Sequence, residues 1–207
     1  MSKSKIFIAL DGEFTGPNPF KHYMIALGAY ALNDLLDYES DFEVSMEPPL
    51  NAQGGEHGFD DDCIDNFWVH HKDLLKEFRK NAMAPEKAMK LFIEWVEEIQ
   101  ETHKESEIIF LVDCTADVFW IDFYLMKYTD HNPLNTFFGE YTGQPFVTDD
   151  QYRGALKILD AWGLDKKIDK KLEAFPPIRK GNHYPSDDAR EICTRFSRLY
   201  AVTYDWS

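Results

Sequence analysis

Apolar positions along this chain change period several times, and each change marks an element. Residues 5–10 (Lys-Ile-Phe-Ile-Ala-Leu) predict a first strand. Residues 23–32 predict a second, apolar almost throughout, as a well-buried strand is. Residues 41–46 alternate polar with apolar, the pattern of a half-exposed third strand. Short turns join the three, which predicts an antiparallel meander. After a loop rich in Gly, Asn and Gln, residues 60–68 predict a short helix with its aromatics turned inward, and residues 72–80 continue as helix. The next helix starts near Pro85 and places Ala88, Phe92, Trp95, Val96 and Ile99 on one face, a core stripe. Residues 107–112 form a buried strand ending in Asp113. A helix opens at Asp117, with Val118, Ile121, Leu125 and Tyr128 as its inward stripe. A loop-rich region over 129–182 contains one predicted helix near 150–159, and a last helix covers about 186–202. Strands and helices in this order predict an α/β domain over residues 1–207, a mixed central β-sheet with its first three strands antiparallel, flanked by α-helices.

Composition narrows what such a domain does. The 207 residues are 44% hydrophobic and 29% charged, those of an ordinary globular protein, long enough to bury a core. No apolar run approaches the roughly 20 residues of a membrane helix. Residues 1–5 lead into a strand without an apolar signal-peptide core, so a cytoplasmic location is expected. Cys63, Cys114 and Cys193 are far apart and odd in number, which predicts reduced, mostly core cysteines. The net charge of -15 argues against nonspecific gripping of long duplex nucleic acid, which relies on Lys and Arg. It leaves room for a nucleic-acid enzyme whose bound cations neutralise the few phosphates that matter.

The chemistry-bearing residues lie at the ends of these elements. Asp11 and Glu13, one residue apart at the end of the first strand, point the same way. Two carboxylates so placed suit a hard divalent cation, although 37 acidic residues produce such pairs by chance. Asp117 opens a helix just past a buried strand, on the rim where α/β sheets place their sites, but an Asp there is ordinarily a cap. His183 sits in a loop, with Asp188 five residues on in the first turn of the last helix. Taken singly, each is ordinary.

Taken in order, these residues resemble a known family. Leu10-Asp11-Gly12-Glu13-Phe14-Thr15-Gly16, then an Asp after a buried strand, then His183-x-x-x-x-Asp188-Ala189 is similar to the DEDDh family of 3′-5′ exonucleases, of the RNase T-like superfamily. The order and approximate spacing agree over nearly the whole chain. The resemblance implies a ribonuclease H-like fold and hydrolysis of phosphodiester bonds at the 3′ end of single-stranded RNA or DNA, RNA favoured. It implies two Mg²⁺ ions, with Mn²⁺ as a substitute, held by Asp11, Glu13, Asp117 and Asp188, with His183 as general base. Phe14 and Thr15 would touch the terminal sugar and base. No membrane partner is implied, and a homodimer is left open.

The middle motif departs from the family pattern. Asp117 and Asp122 both compete for its aspartate, and five residues of helix, about 500°, set them on different faces. Asp122 has the family's aromatic context and Asp117 the better place at the helix start, and Asp117 is preferred. Pro185 also departs from the pattern and is expected to reshape the loop carrying His183. The basic stretch over 165–172, with Arg179 and Lys180, is a solvated helix face by default and a track for the strand's phosphates in the functional reading. A non-catalytic member of the same fold that binds nucleic acid or protein is the alternative.

Overall fold

The computed structural model describes residues 4–48, 58–129, 146–147 and 182–204, with side chains in the last helix described to residue 197. The predicted helix near 150–159 and the basic segments over 165–172 and 179–180 lie outside the described residues. Strands β1 (Lys5–Phe14), β2 (Met24–Leu32) and β3 (Tyr38–Ser45) form the expected antiparallel meander. Three residues of α1 (Asp61–Cys63) run into a π-helical turn at Ile64–Trp68, followed by α2 (Lys72–Asn81) and α3 (Pro85–Thr102). Then come β4 (Glu107–Val112), α4 (Thr115–Tyr128), β5 (Phe146–Val147) and α5 (Pro185–Tyr204).

The sheet is mixed, in the order β3-β2-β1-β4-β5, with β4 parallel to β1 and β5 only two residues long. Alternation along β1 divides the core in two. Ile6, Ile8 and Leu10 face one way with Ile108, Phe110 and Val112 and meet Phe78, Phe92, Val96, Ile121 and Leu125. Phe7 and Ala9 face the other way with Leu32 and Leu111, and are covered by Ala189, Ile192, Cys193 and Phe196 of α5. Among the described residues no helix is long and apolar enough to cross a membrane.

Several boundaries differ from the expectation. β1 does not stop at Leu10: β2 continues to pair it, with Asp11 opposite Gly28 and Glu13 opposite Ala26. β4 does stop there, its last pair being Leu10 with Val112. The two carboxylates therefore lie inside a strand that has lost one neighbour, which opens the sheet beside them. The loop before Pro185 carries His183 at φ 63°. Pro185 is the first residue of α5, where its fixed φ and missing N–H cost nothing. All three cysteines are free, but only Cys193 is buried, and Cys114 is exposed at the start of α4.

Gly28 governs how closely α5 docks. A Cβ on this residue would stand 2.1 Å from the carbonyl carbon of Pro185 and 2.2 Å from the backbone nitrogen of Ser186. Only a residue without a side chain lets the first turn of α5 lie against β2 directly beside Asp11.

Candidate metal centre

Three chain segments meet past the end of β4. β1 brings Asp11 and Glu13, the start of α4 brings Asp117, and the segment entering α5 brings His183 and Asp188. One ligand atom from each of Glu13, His183 and Asp188 lies within 4.8 Å of the others. His183 Nδ1 is 3.9 Å from both Glu13 Oε1 and Asp188 Oδ2. A cleft of about 320 Å³ is lined by Asp11, Gly12, Glu13, Asp113, His183, Asp188, Glu191, Ile192 and Arg195. A larger, open depression on α3, lined by Glu94, Glu97, Glu98, Gln100 and Glu101, is a solvated helix face.

Among the described residues the electrostatics are those of carboxylates gathered without enough counter-charge. Burial pushes Asp11 well above the usual carboxylate range, and Asp117, Glu13, Asp188 and Asp113 add repulsion in that order. Asp122 is not one of these four, and Asp117 is the middle aspartate that acts on Asp11. Glu13 is raised by burial, then by Asp188 and Asp117. Asp117 is raised to about 6, chiefly by burial, against hydrogen bonds from Cys114 and the Gly12 backbone. Burial raises Asp188 to about 6 as well, with Glu191 the next cause.

Asp117 also does the work of a cap. It is the third residue of α4, and its carboxylate reaches back to Cys114, including the thiol at 3.3 Å, like one half of a capping box. Its bond from Gly12 ties that cap to the strand carrying Asp11 and Glu13. The capping and site readings of Asp117 are thus compatible.

His183 is held in an unusual backbone conformation, φ 63°, which non-glycine residues adopt only when their surroundings require it. The ring of Phe67 meets it edge-on at 4.7 Å, and that of His71 lies at 4.5 Å. Phe67 belongs to the π-helical turn, so this irregular segment buttresses the loop. The imidazole of His71 is pushed toward its neutral form by burial and then by His183.

Thr15 and Phe14 depart from the substrate role expected of them. Thr15 is fully buried, its hydroxyl donating to the Gly58 carbonyl and accepting from the Tyr23 backbone N–H at 2.9 Å. It fastens the turn after β1 and presents no group to the cleft. Phe14 is half-buried and stacks on Trp120 at 4.8 Å. Sequence reasoning missed Asp113, Glu191, Arg195, Phe67 and Gly28 as parts of this site. The spacing of Asp188, Glu191 and Arg195, three and then four residues apart, was the available signal, since it sets them on one helix face.

The donor set fits a hard divalent cation such as Mg²⁺ or Mn²⁺, which takes oxygen ligands. Asp188 Oδ1 is buried without a hydrogen-bond partner, as an oxygen kept for a ligand would be. Compared with known proteins, the chain matches no protein-family model and no curated protein.

Proposed function

We propose that this protein is a divalent-cation-dependent 3′-5′ exonuclease of the DEDDh type, acting on single-stranded nucleic acid, with RNA preferred to DNA. The observation that carries the reading is the meeting of Glu13, His183 and Asp188 within 4.8 Å, with Asp117 close enough to act on Glu13 and with Glu13, Asp188 and Asp117 all acting on Asp11. The antiparallel meander continued by a parallel β4 supports a ribonuclease H-like fold.

Asp11, Glu13, Asp117 and Asp188 would hold the cations, Mg²⁺ or Mn²⁺. Bound divalent ions supply stabilisation of the charge that develops on the phosphate. The chain's own contribution to the proton transfer is His183. Two carboxylates facing Nδ1 at 3.9 Å favour the N–H on that nitrogen, which leaves Nε2 as the base. Water attacks phosphorus, its proton passes to His183 Nε2, and the P–O bond to the leaving sugar oxygen breaks, that oxygen taking a proton from solvent. Phe67 and His71 hold the ring for that transfer.

The test is release of nucleotide from single-stranded RNA and matched DNA in Mg²⁺ and in EDTA, by the wild type and by Asp11→Ala. Mg²⁺-dependent release that Asp11→Ala abolishes is the expected result, faster on RNA. No metal-dependent release from the wild type, or equal release from the variant, overturns the assignment. Binding of the strand without release would point to the non-catalytic reading.

A further inference from the structure

Among the described residues one guanidinium lines the acidic cleft, that of Arg195. It stands seven residues after Asp188 on α5, close to two full turns, so both side chains leave the same face. Its Nη1 donates to Asp113 Oδ1 at 2.9 Å and its Nη2 to Glu191 Oε1 at 2.5 Å. Asp113 follows the last residue of β4, beside Asp11, and Glu191 lies one turn after Asp188. These two carboxylates adjoin the proposed ligand set without belonging to it. Their charges nevertheless reach it, Asp113 acting on Asp11 and Glu191 on Asp188.

The geometry points to Arg195 as a positioning residue that limits the cation site to Asp11, Glu13, Asp117 and Asp188 by tying Asp113 and Glu191 to its guanidinium. The inference rests on the cation-dependent reading above. An ion pair that only pinned α5 to β4 would need one carboxylate. Here a single side chain engages both of the carboxylates that flank the ligands. The planar fork of Arg suits this double engagement, and the point charge of Lys does not. Without the guanidinium, six carboxylates line or adjoin one cleft, and the outer two are released to turn toward a cation. The consequence is tighter and less selective cation binding.

The test is a calorimetric Mn²⁺ isotherm at one fixed pH above the carboxylate range, with folding checked by thermal melting. Arg195→Gln is expected to bind Mn²⁺ on the order of tenfold tighter, the effect of one uncompensated charge at this range in a partly screened cleft. Adding Asp113→Asn and Glu191→Gln to that variant is expected to abolish the gain and leave the affinity at or below the wild-type value, because both flanking negative charges are then gone. The double variant Asp113→Asn/Glu191→Gln with Arg195 intact is expected to bind Mn²⁺ more weakly than wild type, because both flanking negative charges are gone while the guanidinium's positive charge stays beside the site. It decides the matter if Arg195→Gln fails to fold, and an unchanged affinity there overturns the inference. Wild-type binding with an unchanged or weaker isotherm for folded Arg195→Gln overturns this inference alone. Absence of Mn²⁺ binding by the wild type overturns both it and the cation-dependent reading.

Discussion

Replacing Gly28 by alanine adds one methyl group at the place where β2 and α5 touch. That methyl would stand 2.1 Å from the Pro185 carbonyl carbon, 2.2 Å from Ser186 N and 2.5 Å from Pro185 O, where ordinary contact begins at 3.4 Å. These are backbone atoms and cannot swing aside, so the first turn of α5 must retreat from the sheet by more than an ångström. Asp188 is three residues farther along that helix and His183 two residues before it, and both move with it. Overpacking of this kind costs about 1–3 kcal/mol, a fall in melting temperature of roughly 2–12 °C for a domain this size. Misplacing catalytic groups by about 1 Å costs on the order of 10²-fold in rate. The assay pairs thermal melting with single-turnover release from a labelled strand, under conditions where the variant is fully folded. A Gly28→Ala protein that melts and cleaves like wild type would refute the claim that this contact sets the site.

Other expectations follow from the same geometry. In the unfolded chain Asp117 and Asp188 titrate near 3.8, whereas in the fold both are raised to about 6. Between those values the folded state binds more protons, so the cation-free protein loses stability as pH rises through the window; melting in EDTA across it checks this, and a rising curve contradicts it. Cation affinity should weaken as pH falls through about 6, since protonated carboxylates do not ligate. His183→Ala should lower single-turnover rates by about 10²–10⁴-fold with cation binding retained, and loss of the cation would make His183 a ligand instead of the base. Tyr124→Phe removes the hydroxyl that accepts the Met24 backbone N–H at 2.7 Å in the core. Leaving that donor unpaired should cost about 1–3 kcal/mol in denaturant unfolding, and a neutral result would show that the bond contributes little.

Much of the fold is legible along the chain because each element has one clean period. β2 and α3 are the clearest, and the residues expected on α3's inner face are buried apart from the half-buried Trp95, whose indole donates to Ser40. β1 was harder. Its apolar pattern ends at Leu10, yet pairing with β2 carries the strand to Phe14, and no local pattern reports that one neighbour ends before the other. The π-helical turn was hidden for a similar reason, since five residues are too few to separate its period from that of an α-helix.

The site divides along the same line. Asp11 and Glu13, and His183 and Asp188, stand close together within two separate segments, and it is the resemblance of their order to the DEDDh pattern that let them be proposed together before any contact was known. Glu191 and Arg195 are one turn apart on α5, but Asp113 meets Arg195 only because α5 packs on the sheet at the level Gly28 permits, a fact about two distant segments. Thr15 shows the opposite hazard. Its place beside the motif suggested contact with substrate, but its hydroxyl is consumed by backbone groups of Gly58 and Tyr23.

The strand that carries Asp11 and Glu13 is also the centre of the sheet, with β2 on one side and β4 on the other. Its amides belong to the part of a protein that opens only with the whole molecule. Hydrogen exchange should therefore find residues 6–10 among the slowest in the chain, leading directly into the carboxylates. Asp188 and His183 enter from a helix end, where opening is local and far less costly. The two sides of the cleft thus differ in the time for which they stay in place, and among the described residues the α5 side is the one free to give way under the proposed function.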